Sequence, residues 1–327
     1  MINPRLHALI SLLSDGRFHS GEALGKALGV SRAAIWKYLK GLEPYGLVVQ
    51  AVTGKGYRLA TPFTPLDRDT ILGQLEPDTR PLLAGLELLP EIDSTNRFLL
   101  KEASDAAPSG TACLAEYQSS GRGRRGRQWL SPYGSNLALS LLWRFNDGTG
   151  RLGGLSLAVA VALMRCLTEL GVSSAGIKWP NDILINGHKL AGILLDVAGQ
   201  SAGPCYVVMG IGLNYRMPES MDSEIDQAWT DLWHVGIESD RNIVAGRLLH
   251  HLLRVVRKYQ EQGLEAFRAE WRGWDLTRDQ QVDILLGENV IPGIARGIDA
   301  QGLLQVEHTD GLKCYASGEV SLRTAAQ

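Results

Sequence analysis

Seven consecutive residues, Gly121–Arg127 (GRGRRGR), hold four arginines and three glycines. Guanidinium groups carry permanent charge and forked donors that match carboxylates and phosphates. Glycines let backbone N–H groups turn towards one point, which is how a loop can hold an anion without side-chain help. Three readings fit this stretch by itself: a solvated loop of salt-bridged arginines, a nonspecific nucleic-acid contact, or a phosphate site for a small molecule. The pattern GxxxxGK[ST] occurs nowhere in the chain, so a P-loop is excluded as a nucleotide site. The flanks, Thr111–Gln118 and Ser135–Trp143, are strand-like. A loop tied between two core strands is poorly placed to be a disordered nucleic-acid tail.

A second stretch, IKWPNDILINGHKLAGILLDV (177–197), carries Lys178 before a rigid Trp179-Pro180 step, Asp182 after it, and Lys189 further on. Ile183–Ile185 and Leu190–Leu195 read as strands, and Asn186-Gly187 between them signals a tight type I′ hairpin. Either lysine alone could be an ordinary surface residue. Gly192, in the return strand, would let a ligand approach the backbone closely. A third stretch, EIDSTNRFLL (91–100), sets Ser94, Thr95 and Asn96 at a helix start, where Ser94 could simply be a cap.

The elements around these residues divide the chain. Residues 1–60 carry eight Lys/Arg against three acidic residues, net +5, whereas the remainder has 25 basic and 32 acidic residues, net −7. That asymmetry predicts a small nucleic-acid-binding module ahead of a larger globular body. Ser20 caps a first predicted helix that Gly29 breaks. Ser31 caps a second, with Ile35, Tyr38, Leu39 and Leu42 at helical spacing on its inner face. The short break fits a helix-turn-helix. The second helix then presents Arg32, Ala33, Trp36, Lys37 and Lys40 outward from its Ser31 start. A hairpin follows with Lys55 at its tip, completing a winged helix-turn-helix suited to a DNA groove. The prolines of TPFTPL (61–66) mark a linker.

Beyond it, an α+β body is expected, with mainly antiparallel strands and helices on one face that start near Asp93, Leu152 and Asn242, the last capped by Asn242 itself. From about Gln280, short alternating runs (VDILL, IARGID, LLQVEH, GEVSLR) separated by glycine suggest a small SH3-like β-barrel. The domain expectation is therefore 1–60, 66–273 and 274–327. Four dispersed cysteines form no CxxC pair, and the N-terminus lacks a signal-peptide layout, so a reducing cytoplasm is the simplest compartment. The longest apolar stretch, Leu152–Met164, is 13 residues, short of the roughly 20 needed to span a bilayer.

Taken in order, the winged helix-turn-helix, IDSTN, AEYQSSGRGRRGRQWLSP, KWPNDILINGHKLAGIL and GIGLN make the whole chain resemble the bacterial bifunctional biotin–protein ligases that also act as biotin operon repressors. The resemblance implies a class II synthetase-like central domain. It implies that biotin and MgATP give biotinoyl-5′-AMP, and that biotin then passes to a lysine of the biotin carboxyl carrier protein of acetyl-CoA carboxylase. It further implies operator DNA as a partner and a homodimer when the adenylate is bound. Matched to the family's motifs, the biotin site comprises Ser94, Thr95, Asn96, Gln118, Arg122, Gly123, Arg124, Lys189 and Gly192. The nucleotide site comprises Arg122, Arg124, Arg125, Arg127, Trp129, Lys178, Asp182 and Asn214, with Trp129 stacked on adenine. Lys189, Arg124 and Lys178 carry the catalytic expectation, and no side chain is assigned to the Mg²⁺. Two alternatives stay open: a ligand-sensing regulator that performs no chemistry, and a lipoate ligase of the same fold.

Overall fold

Short-range chemistry starts the first elements. Asn3 accepts a hydrogen bond from Arg5 N–H just ahead of α1 (Pro4–Leu13), with Pro4 at the first helical position. Ser20 and Ser31 cap α2 (Gly21–Leu28) and α3 (Arg32–Lys40) through the N–H groups of Ala23 and Ala34. Gly29, between them, has φ 63°, a left-handed conformation that costs glycine nothing. The wing is an antiparallel pair, β1 (Val49–Val52) and β2 (Gly56–Leu59). α1, absent from the sequence reading, supplies Leu6, Leu9, Ile10 and Leu13 to a core shared with Leu24, Ile35, Leu39, Leu42 and Leu59. Tyr38 is only partly buried at the edge of that core. The computed structural model describes residues 2–199, 203–287, 289–317 and 321–324.

The central elements are α4 (Arg68–Leu72), β3 (Gly85–Leu89), α5 (Thr95–Ser104), β4 (Thr111–Ala115), β5 (Asn136–Phe145), α6 (Leu155–Glu169), β6 (Ala175–Lys178), β7 (Asp182–Ile185), β8 (His188–Gly199), β9 (Cys205–Asn214), α7 (Arg241–Gln262) and α8 (Glu265–Trp274). The strands form one sheet in the order β3-β4-β5-β9-β8-β7-β6, antiparallel throughout except for the β3–β4 pair. Strand alternation sorts its two faces. Leu137, Leu139, Leu141 and Trp143 of β5, with Val207, Met209 and Ile211 of β9, join the core that α6, α7 and α8 cover. Leu142 and Val208 point the other way, onto Leu99 and Ala103 of α5. The expectation of helices on one face is thus corrected: α5 lies on the opposite face, where Ala138, Ser140, Gly210 and Gly212 leave room for its first turn and for a site.

Two helix starts also differ. α6 begins at Leu155 after Gly154, whose φ of 74° excludes a helical start at Leu152. α7 is capped by Asp240, which accepts from Asn242 N–H. The Asn242 carboxamide serves the linker instead, donating to Pro65 O and accepting from Asp67 N–H. Beside it, Arg241 is fully buried; it donates to Glu116 at 2.6 Å and to Thr64 O, while Glu116 also accepts from Leu66 N–H. The proline-rich segment is therefore a bonded strap along the body.

The C-terminal strands are β10 (Gln281–Leu286), β11 (Asn289–Ile298), β12 (Leu304–His308), β13 (Gly311–Tyr315) and β14 (Ser321–Thr324). They form an antiparallel sheet in the order β13-β12-β11-β10-β14, and its buried face continues the central core through Val282, Ile284, Leu304 and Val306. Of the expected GEVSLR strand, residues 318–320 lie outside the described residues. Cys113, Cys166 and Cys205 are buried thiols, and burial pushes Cys166 up to about 12. Among the described residues, no helix is long and apolar enough to cross a membrane.

Removing one partner of a buried ion pair strands the other in low dielectric. Arg241→Ala is expected to lower unfolding stability by about 3–5 kcal/mol, read from the urea midpoint. The double variant Arg241→Met/Glu116→Leu should recover part of that loss.

Candidate active site and DNA-binding face

The arginine run is an ordered hairpin. Gly123 N–H donates to Arg127 O at 2.7 Å, and Trp129 N–H donates to Gly121 O at 2.9 Å. Arg125, at φ 56°, turns the tip. A Cβ on Gly121 would lie 2.3 Å from Trp129 O, so the close return at the hairpin base requires glycine there. The run borders an open cleft of about 680 Å³ with Arg97, Ser120, Gln128 and Leu194. Both ends of the loop rest on the DNA-binding domain. Tyr133 N–H donates to Tyr45 O, Tyr117 Oη donates to Pro44 O, and the Tyr45 and Tyr117 rings meet edge-on at 4.9 Å.

The two inner arginines are held by groups on the sheet. Arg122 makes a two-pronged contact with Asp196 of β8 at 3.1 and 3.2 Å. Arg124 donates to Asn181 Oδ1 at 3.0 Å and to the backbone oxygen of Ser317, which brings the C-terminal domain to the loop. Burial pushes the Arg124 guanidinium below its ordinary value; repulsion from Arg125 adds to this, and Asp182 opposes it. Arg125 and Arg127 are exposed and line the cleft.

Lys189 is largely buried and pairs with Asp182 at 2.9 Å. The Asn186-Gly187 turn has φ 51° and 82°, as the predicted type I′ hairpin requires; it pairs Lys189 with Leu184, from where the ammonium reaches Asp182. Asn214 donates to Lys189 O and Thr230 O, while Lys189 N–H donates to Ala228 O, so the backbone of Lys189 is held from both sides. The Lys189 ammonium lies 5.7 Å from the Trp129 ring centre. That indole lies on two glycines: a Cβ at Gly212 would come within 2.5 Å of it, and one at Gly192 within 3.3 Å. Lys178 ends β6 directly across from Asp182, and the Trp179 indole donates to Gly302 O of the C-terminal domain.

At the head of α5, Ser94 caps nothing: its side chain makes no capping bond, and it is buried. Gln118 Oε1 accepts from Thr95 N–H at 2.9 Å. Asn96 is engaged within the protein, donating to Asp196 and Leu194 O and accepting from Ser140. The structure thus gathers Ser94, Thr95, Asn96, Gln118, Arg122, Gly123, Arg124, Trp129, Asp182, Lys189, Gly192 and Asn214 around one face of the sheet. It adds Asn181, Asp196, Ser140, Gly210 and Gly212, which the sequence reading did not single out. The paired glycines were detectable, since Gly210 and Gly212 sit two apart in an otherwise Val/Met/Ile strand and open one face only.

Ile35 and Leu39 are buried, whereas Ser31, Arg32, Ala33, Trp36, Lys37 and Lys40 are exposed. Lys40 caps the Trp36 ring at 3.8 Å, and Lys55 sits at the wing tip. One cluster of three potential metal ligands exists among the described residues, Glu76, Asp78 and His250, away from this site; its two carboxylates face Arg247 and Arg254.

A cationic site on a mixed sheet, joined to a winged helix-turn-helix, agrees with the comparisons. Residues 88–214 match the model of the biotin/lipoate A/B protein ligase family, 5–58 an HTH domain, and 278–323 the biotin protein ligase C-terminal domain. The chain belongs to that ligase family. Its full-length likeness is to bifunctional members: it is 42% identical to the bifunctional ligase/repressor BirA of Salmonella typhimurium, over 97% of both chains. It is 32% identical to the protein of the same name from Bacillus subtilis, over 96% of this chain and 97% of that one. Among solved structures, biotin protein ligase from Aquifex aeolicus in complex with biotin and ATP matches with a TM-score of 0.64 at 28% identity, covering 74% of this chain and 100% of that one.

Gly212→Ala is expected to lift the Trp129 indole from the sheet. A red-shifted tryptophan emission with little loss of thermal stability would register the move; an unchanged spectrum would mean that the indole accommodates the methyl group where it lies.

Proposed function

We infer that this chain is a biotin–protein ligase and DNA-binding repressor. The observation that carries the ligase half is that Lys189, Arg122 and Arg124 are held by Asp182, Asp196 and Asn181 on one face of the sheet, beside Gly192 and Gly212 under the Trp129 indole. The likeness to bifunctional ligase/repressors along the whole chain supports both halves. We read the division of labour as DNA contact in 1–60, adenylation in 66–273 and support from 274–327.

The reaction must bring two anions together, a carboxylate and an α-phosphate. Its barrier is therefore largely one of position and electrostatics. A biotin carboxylate oxygen attacks the α-phosphorus of ATP, and pyrophosphate leaves. Lys189 bridges the reacting carboxylate and phosphate oxygens, helped by Arg124, while Lys178, Arg125 and Arg127 take the outer phosphate charge. Ser94, Thr95, Gln118 and Gly192 hold the ring of biotin, with Arg122 and Gly123 over its carboxylate end. In the second step the neutral amine of an acceptor lysine attacks the activated carbonyl, AMP departs, and the amine sheds its proton to solvent. No side chain becomes covalently attached.

The site carboxylates Asp182 and Asp196 are engaged by Lys189 and Arg122. That suits Mg²⁺ carried in on the triphosphate rather than held in a protein cage. When bound, the ion neutralises phosphate charge as pyrophosphate forms. Trp129 stacks on adenine, which requires the indole to turn from the glycines to the nucleotide. The acceptor is the biotin carboxyl carrier protein of acetyl-CoA carboxylase, and the adenylate-bound chain dimerises on the biotin operator. There Ser31, Arg32, Ala33, Trp36, Lys37, Lys40 and Lys55 meet the DNA.

ATP–pyrophosphate exchange with biotin and lipoate in parallel tests this reading. Exchange with biotin only is expected, and exchange with neither from folded protein would favour a sensor without chemistry. Lys189→Ala should abolish exchange while leaving the melting transition intact. Arg124→Ser should instead speed adenylate dissociation; an unchanged off-rate would remove Arg124 from that role. For the repressor half, Arg32→Ala and Lys37→Ala should each weaken operator binding at least tenfold, about 1.4 kcal/mol, without changing exchange.

A further inference from the structure

Under the head of α5 runs a chain of buried polar groups, Thr95, Ser140 and Asn96. Asn96, at the first turn of α5, lies over Gly210 of β9, where a Cβ would come within 2.2 Å of its Oδ1. Its Nδ2 faces Asp196 Oδ2 at 2.8 Å and Leu194 O at 3.3 Å, two acceptors that fix which end of the amide is nitrogen. Its Oδ1 therefore faces Ser140 Oγ, 2.6 Å away. Ser140 is fully buried and has a single hydroxyl proton. An amide oxygen cannot donate, so that proton lies on the Asn96 side.

Ser140 Oγ also lies 2.7 Å from Thr95 Oγ1. A contact that short between two hydroxyls needs a proton between them, and only Thr95 can supply it. The alternative partner of the Thr95 hydroxyl, Gln118 Oε1, is farther at 3.2 Å and already accepts from Thr95 N–H. The Thr95 proton thus points into the protein, which leaves Thr95 Oγ1 with only lone pairs for a ligand. Gln118, with its oxygen fixed by Thr95 N–H, has its Nε2 donor directed elsewhere, against Gly121 at the base of the arginine hairpin.

We propose that the relay Asp196–Asn96–Ser140 sets Thr95 as an obligate acceptor, and that Ser140 is thereby a specificity-determining positioning residue. Thr95 Oγ1 is then an acceptor with no proton to give a ligand. Such an acceptor complements a ring N–H, as a cyclic urea carries. A dithiolane ring has no N–H, so the relay is a physical reason for the site to refuse lipoate. This rests on the biotin reading above. Because Asp196 also grips Arg122 in two places, the same carboxylate that begins the relay tethers the loop over the other end of the ligand.

The test is calorimetric binding of biotin and of its two cyclic carbamate analogues, in which one or the other ring N–H is replaced by oxygen. Wild-type protein is expected to disfavour at least one carbamate by on the order of 1,000-fold, because two acceptors would then face each other. Ser140→Ala frees the Thr95 proton to turn towards the ring, so that ratio should shrink at least tenfold, about the effect of one hydrogen bond. Thr95→Ser keeps the hydroxyl and should keep the wild-type ratio. An unchanged ratio in folded Ser140→Ala overturns the relay. Where that variant does not fold, Asn96→Ala removes the acceptor that orients Ser140 and should narrow the same ratio; no narrowing there overturns it equally. Wild-type protein that binds neither biotin nor carbamate would instead overturn the biotin reading, and the wild-type arm alone reports that.

Discussion

Cations gathered to meet an anion repel one another, and the site is organised around containing that repulsion. Each of its three inner charges is moored to the sheet: Lys189 to Asp182, Arg122 to Asp196, and Arg124 to Asn181. Two of the moorings come from β7–β8 and the turn before them, the third from the middle of β8. Because the anchors sit on paired strands or on the turn that joins two of them, the charges are preorganised at little further entropic cost when substrates arrive. The glycines beside them follow from the same need. Side chains at Gly192 and Gly212 would occupy the surface on which Trp129 now lies.

The arginine loop is also where the three parts of the chain meet. Its ends bear on Tyr45 and Pro44 of the DNA-binding domain, and Arg124 reaches Ser317, just past β13 of the C-terminal domain. The strap at residues 62–67 runs alongside, fixed by Arg241, Glu116 and Asn242. Glu116 sits two residues before Gln118, so a contact that fixes the linker lies one strand pleat from a wall of the site. A shift in the loop therefore bears directly on packed aromatic rings in the neighbouring domain.

Much of this was legible in the residues. Ser20, Gly29 and Ser31 announced the helix-turn-helix because caps and left-handed glycines act within a few residues of themselves. Asn186-Gly187 announced its turn for the same reason. The errors fell where a local preference met a tertiary one. Asn242 has a good capping side chain, yet Asp240 takes that place because the linker claims the Asn242 amide. α5 crossed to the other face because β5 and β9 are apolar on both sides, a feature that alternation within one strand does not assign to any particular helix.

By itself, the sequence determined the charge that loop and helix would carry, the positions of turns and caps, and through its motifs the family and its chemistry. Each of these depends on residue type and near neighbours. Only the tertiary structure decided which acceptor holds which arginine, that Asn96 faces Asp196 and Ser140 rather than a ligand, and which way the Thr95 proton points. Asn96 and Asp196 are a hundred residues apart, and their meeting depends on strand order and register, which are set by the packing of the whole sheet.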